Sequence, residues 1–287
     1  MAERDGALAA KDEALAEIAV FRAQLRSAKK NEEDGPDDHL EKYRTRPFIV
    51  LMAVGRSGST LLQGVLNAMP GCLVRGENGG VMLALAQAHE ALCFAGNHSS
   101  SFTTAADSWF GCEELDADRL LANCARVVIE QLLGSRRDED FVAIGFKEIR
   151  WLQRHLGATS LWSYLRFIDA AFADVRFVLL TRAIDELLAS GWWPVLTTPA
   201  TRCEIEQFYV SARSAPVRRL FEIDYSDLHE HSDAVRRLAD FVGSRYTPET
   251  DQVFARRHSY DMSESKERER EVTRLRAMAA GNYGQSR

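Results

Sequence analysis

The chain has 287 residues, 46% of them hydrophobic, ample for the core of one large α/β domain or two small ones. A formal net charge of −6 raises no positive field for nucleic acid, and no run approaches the roughly eighteen apolar residues of a membrane span. The five cysteines are scattered without a C-x-x-C pair, and the N-terminus lacks an apolar signal core, so neither a disulfide framework nor a zinc site is expected and the expected compartment is the cytoplasm.

Residues 1–30 read as an N-terminal helix, rich in Ala, Glu, Lys, Arg and Leu and free of Pro. Leu8, Leu15, Ile18 and Leu25 fall near a heptad seam that Ala9, Lys11 and Arg22 dilute. A short coiled coil joining copies into a homo-oligomer and a single helix docked on the body both remain open. Residues 31–46 read as an acidic, solvated linker, which leaves 47–287 as the main domain.

Phe48 to Val54 is an unbroken apolar run, the pattern of a strand buried on both faces of a parallel sheet. Gly55-Arg56-Ser57-Gly58-Ser59-Thr60 follows, and then Leu61, Leu62, Val65, Leu66 and Met69 recur at helical spacing up to Pro70-Gly71. A strand, a glycine-containing turn and a helix aim several backbone N–H groups and a helix dipole at one point, which suits an anion. The turn departs from the phosphate-binding G-x-x-x-x-G-K-[ST] pattern, because its cation is Arg56 and no Lys precedes the hydroxyls.

A second strand is expected over Cys72–Arg75, running into Gly76-Glu77-Asn78-Gly79-Gly80, and a helix over Val81–Leu92. Residues 95–116 read as irregular, either an acceptor-binding lid or a flexible insertion. A helix marked by Leu120, Cys124, Val127, Val128 and Leu132 precedes a third strand, Phe141–Phe146. That strand delivers Lys147 and Glu148 to the edge where open α/β sheets bind ligands. Helical segments near 149–155 and 159–172 lead to a strand over Val175–Leu180, then Thr181-Arg182 and a helix over Ile184–Trp192 that carries Ser190. A helix over 202–213, a strand over Val217–Ile223, Tyr225-Ser226-Asp227-Leu228, a helix over Ala234–Phe241 and an exposed charged helix over 262–280 complete the chain. His229 and His231 read as surface residues, and no metal cluster is expected.

Arg56-Ser57-Gly58-Ser59-Thr60 after a buried strand resembles the first nucleotide-binding motif of the sulfotransferase superfamily, whose donor is 3′-phosphoadenosine 5′-phosphosulfate (PAPS). Arg182 at a strand end with Ser190 eight residues later resembles the second motif, and Tyr225-Ser226-Asp227-Leu228 resembles the Tyr-Glu-Asp-Leu of many members. The resemblance spans residues 47–228. It implies a P-loop-like three-layer α/β domain, with a central parallel sheet between helices, that transfers a sulfuryl group from PAPS to an acceptor hydroxyl without a metal. The product would be adenosine 3′,5′-bisphosphate. Arg56 is then implied at the sulfuryl group and bridging oxygen, Ser57, Gly58, Ser59 and Thr60 at the 5′-phosphate, and Arg182 with Ser190 at the 3′-phosphate.

Val74-Arg75-Gly76-Glu77 resembles the segment that carries the catalytic base in tyrosylprotein and bacterial carbohydrate sulfotransferases, so Glu77 is the implied base. His98 is its rival, of the type used by cytosolic small-molecule members. Lys147 resembles a lysine facing acceptor and sulfuryl group, and could equally pair with Glu148 or Asp185; Arg150 is a weaker candidate. Tyr225 and Trp192 are candidates to stack near the adenine. The C-terminal Arg-Lys-Gly-x-x-Gly-Asp-Trp loop of cytosolic members is missing, which weakens an aryl-sulfotransferase reading and leaves the tyrosylprotein-like and carbohydrate-like branches; a sugar hydroxyl is the expected acceptor, with tyrosyl or phenolic hydroxyls as alternatives. Two rivals of another class stay open, a P-loop kinase-like enzyme and a non-catalytic nucleotide-binding module.

Overall fold

The computed structural model describes residues 38–99 and 104–255. The expected helices over 1–30 and 262–280 lie outside the described residues. The chain divides into two units, 1–41 and 42–287, and the sheet and its helices belong to the second.

In chain order the elements are α1 (Asp38–Thr45), β1 (Pro47–Met52), α2 (Ser59–Ala68), β2 (Cys72–Arg75), α3 (Val81–Ser99), α4 (Ala117–Leu133), β3 (Ala143–Glu148) and α5 (Gln153–Leu156). There follow α6 (Leu161–Ala171), β4 (Asp174–Thr181), α7 (Ile184–Leu188), α8 (Trp193–Leu196), α9 (Pro199–Arg213), β5 (Leu220–Asp224), α10 (Asp233–Phe241) and α11 (Pro248–Gln252). The stretch expected as a solvated linker is therefore helical from Asp38 onward. Tyr43 is fully buried and its hydroxyl donates to Glu139 O at 2.6 Å, so an aromatic anchor overrides the acidic composition around it.

The five strands are all parallel, in the order β2-β3-β1-β4-β5. β1 lies at the centre, and its apolar run is what a strand covered on both faces requires. Side chains alternate between the faces. Ile49, Leu51 and Ala53 pack with Leu62 and Leu66 of α2 and with Val235 and Leu238 of α10. Phe48, on the other face, stacks on Phe172 with ring centroids 3.6 Å apart and meets Phe146 edge-on. Burying each such side chain stabilises the fold by about 1.5–3 kcal/mol relative to exposure.

Two side-chain details fix the sheet. Gly145 sits opposite Ile49, and a Cβ there would stand 1.9 Å from Ile49 O, so only glycine lets β3 close on β1. The free edge of β2 is covered by Asn67, whose amide accepts from Val74 N at 2.8 Å and donates to Val74 O at 2.9 Å. Gln63 donates to the same oxygen at 3.2 Å, and two side chains thus occupy groups that a further strand would otherwise pair.

Two helices depart from expectation. α3 runs on to Ser99, through Gly96-Asn97, because Ala95 is buried and the Phe94 ring packs against His98 in the last turn, with centroids 3.9 Å apart and planes tilted by 33°. The helix after β4 ends at Leu188 rather than at Trp192, so Ser190 lies in a turn and not on a helix. Gly191 takes a φ of 61° there, which a helix cannot continue through.

Candidate active site

Each of the five strands delivers one candidate residue just at or beyond its carboxyl end: Arg56 after β1, Glu77 after β2, Lys147 in β3, Arg182 after β4 and Tyr225 after β5. The chain passes from β1 to one edge and later crosses to β4 on the other side, so the order reverses about β1, where open α/β sheets bind ligands.

The loop after β1 is tightly wound. Ser57 N–H donates to Val54 O at 3.1 Å, Arg56 holds a left-handed φ of 71° and Gly58 a φ of 97°. Gly58 is the N-cap of α2 and has no capping side chain, so the amides of the first turn, at Ser59 and Thr60, face outward at the positive end of a ten-residue helix. Glycine is required at position 58 twice over, by its φ and because a Cβ would stand 2.3 Å from Tyr225 Cδ2. Two side-chain donors of the loop, Arg56 Nε and Ser57 Oγ, are buried and have no hydrogen-bond partner. Unmet donors of this kind suit an anion carrying several oxygens.

Arg182 ties the second motif to the first. Its Nη1 donates to Arg56 O at 3.1 Å, its Nε donates to Glu186 Oε2 at 3.2 Å, and its guanidinium lies 4.2 Å from the centroid of the Tyr225 ring. Tyr225 is held in turn by Asp224, which accepts from Thr181 Oγ1 at 3.1 Å and from Ser226 N–H and Oγ at 3.0 and 2.7 Å. Burial alone would raise the Asp224 pKa, but these hydrogen bonds outweigh it and hold the carboxyl below its ordinary value.

The turn carrying Ser190 closes on the same loop. Trp193 Nε1 donates to Gly55 O at 2.8 Å, Trp192 lies against Gly55 with its ring centroid 5.6 Å from the Arg56 guanidinium, and Gly191 abuts Arg56. Sequence reasoning missed Gly191 and Trp193; the Ser-Gly dipeptide at 190–191 is a turn signal that could have marked the helix end.

On the other side of β1, Lys147 is buried at the end of β3 and its Nζ lies 3.1 Å from Glu77 Oε1. The side chain of Glu77 is 40% exposed, against 9% for Lys147, so the carboxylate opens to solvent above the ammonium. The alternative partners of Lys147 are engaged elsewhere. Glu148 binds the Arg150 guanidinium through two hydrogen bonds of 2.9 Å, and Asp185 pairs with Arg202. Arg150 thus serves a buried carboxylate. His98 is held by Phe94, whose carbonyl oxygen is 2.8 Å from Nδ1, and packs near Trp109. Arg75 donates to Leu132 O at 2.7 Å and Leu133 O at 3.2 Å, closing the C-terminal end of α4.

A groove of about 830 Å³ runs along the free edge of β2 to Gly76, one residue short of Glu77, and is lined by Gln63, Asn67, Arg75, Arg136, Glu139 and Asp140 among others. Among the described residues no cluster of three or more His, Cys, Asp or Glu side chains could hold a metal, and no helix is long and apolar enough to cross a membrane.

Residues 47–248 match the Sulfotransferase family. Solved structures similar to the chain include the sulfotransferase domain of the Synechococcus PCC 7002 olefin synthase, at 18% identity over 79% of this chain and 82% of that one, with a TM-score of 0.48. Sulfotransferase STF9 from Mycobacterium avium is similar at 14% identity over 81% of this chain and 71% of its own, with a TM-score of 0.40. Sulfotransferase STF1 from Mycobacterium tuberculosis H37Rv is similar at 15% identity over 89% and 81%, with a TM-score of 0.39. No curated protein matches the chain.

Proposed function

The chain belongs to the sulfotransferase family, and on that premise we propose that it transfers a sulfuryl group from PAPS to a hydroxyl of a carbohydrate or glycosylated small molecule, with Glu77 as general base. The observation that carries this reading is the loop Gly55–Thr60, where Arg56 Nε and Ser57 Oγ are buried without partners at the N-terminus of α2. Those donors fit the anionic phosphosulfate end of such a donor.

PAPS supplies an activated sulfuryl group and leaves as adenosine 3′,5′-bisphosphate. The first-turn amides and hydroxyls of Ser57, Ser59 and Thr60 bind its 5′-phosphate, where a fixed array of donors stabilises charge without reorganising. Arg56 brings a permanent positive charge to the sulfuryl end. Arg182 and Ser190 bind the 3′-phosphate, the guanidinium trading the exposed Glu186 for a dianion, and Tyr225 backs Arg182 with its ring face.

Glu77 takes the acceptor's proton. Lys147 engages Oε1, which fixes the carboxylate and leaves Oε2 for the hydroxyl. The ammonium also places a second positive charge at this edge, beside Leu51 of β1. The carbohydrate class is supported by the groove that reaches Gly76, the residue before Glu77, and whose amide, guanidinium and carboxylate side chains suit a ligand with many hydroxyls.

The test follows bisphosphate release from PAPS with a panel of mono- and oligosaccharides and glycosylated phenols. Glu77→Gln is expected to lower kcat by about 10²–10⁴ with bisphosphate affinity unchanged, the range of a general base. Unchanged turnover in Glu77→Gln would remove the base from this reading, and release stimulated by peptidyl tyrosine alone would replace the acceptor class.

A further inference from the structure

We infer that Trp192 is a positioning residue that seats the guanidinium of Arg56, an inference that rests on the proposed donor site. Arg56 is the loop's cation, yet its backbone is left-handed, at a φ of 71°, a conformation that a long side chain does not adopt unless its surroundings impose it. Those surroundings are the segment 182–193. Arg182 Nη1 donates to Arg56 O and Trp193 Nε1 to Gly55 O, which fixes the backbone on both sides of the Cα.

The side chain is fixed by the two residues just past Ser190. Trp192 lies so close to Gly55 that a Cβ there would stand 2.6 Å from Trp192 Cζ2, and its ring centroid is 5.6 Å from Arg56 Cζ. A Cβ at Gly191 would stand 2.4 Å from Arg56 Nε and 2.7 Å from Cδ, so the side chain runs over a bare backbone that only glycine supplies. Arg56 is held between an indole and a glycine.

The kind of contact matters as much as the distance. A carboxylate partner would hold Arg56 by its N–H groups and neutralise its charge. An aromatic face attracts the cation while leaving the N–H donors uncommitted. That agrees with Arg56 Nε being buried and without a partner. The seat therefore keeps the guanidinium charged, immobile and available to an anion, and removes beforehand the rotamer freedom that binding would otherwise cost.

The experiment is a double-mutant cycle on Arg56→Gln and Trp192→Leu, read by PAPS affinity in calorimetry and by kcat/KM for bisphosphate release, with Trp192→Phe alongside. Trp192→Leu is expected to weaken PAPS binding about tenfold, whereas Trp192→Phe, which keeps a ring face, stays within about threefold of wild type. The double variant should bind no worse than Arg56→Gln alone, because without the guanidinium Trp192 has nothing to seat. Additive losses, or wild-type affinity in Trp192→Leu, would overturn the inference. Should Trp192→Leu not fold, a tenfold loss in a folded Trp192→Phe would overturn it equally, and retained affinity there with loss in Trp192→Met would support it. Adenosine 3′,5′-bisphosphate separates the two levels: failure of the wild type to bind it defeats the donor site itself, while binding with an additive cycle defeats only the role of Trp192.

Discussion

Arg56 and Arg182 carry the same charge into the same place, and the protein holds them by different means. Arg182 is braced by a backbone carbonyl, a glutamate and a tyrosine ring, whereas Arg56 rests on an indole with a donor left over. Close by, Tyr209 of α9 shows how burial shifts a residue. Burial, opposed by a backbone hydrogen bond at Arg182 and by the Arg213 charge and helped by the Asp224 and Glu222 charges, pushes its pKa up to about 12. The folded state therefore keeps this proton to higher pH than the unfolded chain, whose tyrosine titrates near 10. Its contribution is intact below about pH 10 and is lost as pH rises toward 12, by roughly 2–3 kcal/mol. Tyr209→Phe should match wild-type stability at pH 7 and lose less of it between pH 10 and 12 in urea melts. Equal alkaline loss in both proteins would show that other groups set that limb. The placement of Arg56, Ser57, Gly58 and Arg182 at strand ends was legible in the sequence because each sits in a short local pattern. The Lys147–Glu77 pair was not, since its members are 70 residues apart and only the sheet joins them.

At the scale of elements, apolar runs marked β1, β3 and β4, because a doubly covered parallel strand must be apolar throughout, whereas β5 lies at an edge with Glu222 exposed and carries a weaker signal. Helix ends were less legible. Gly96-Asn97 reads as a loop, yet packing against the Trp109 segment carries α3 through it, and tertiary contacts override propensity. Conversely, Ile184–Trp192 reads as one helix, and Gly191 stops it so that Trp192 and Trp193 can reach the β1 loop. The sharpest constraint on an element is Gly58, where the turn meets α2 and Tyr225. Gly58→Ala introduces a Cβ at a φ of 97°, 2.3 Å from a ring that Arg182 also covers. The strain should cost about 1–3 kcal/mol in denaturant melts, and displacement of Tyr225 should weaken bisphosphate binding at the same time. A stable Gly58→Ala protein with full nucleotide affinity would mean that the loop can adopt another shape and still bind.

For the whole molecule, the order β2-β3-β1-β4-β5 matters because it brings five carboxyl ends, and five candidate residues drawn from 170 positions of chain, to one edge. No single motif supplies both the cations and the proposed base; the sheet does. On the proposed function, this edge is a donor-nucleotide site with Glu77 and Lys147 on the acceptor side. Ligand that binds only the native state stabilises it, by about 2.7 kcal/mol at a hundred times Kd. The most direct test is therefore calorimetric titration of wild type and Arg182→Ala with adenosine 3′,5′-bisphosphate and, separately, with ATP plus Mg²⁺. Wild type is expected to bind the bisphosphate in preference to ATP, and Arg182→Ala to lose about 10- to 100-fold of that affinity, the worth of a charge-assisted phosphate contact. Preference for ATP, or indifference to both nucleotides, would contradict a PAPS site at this edge.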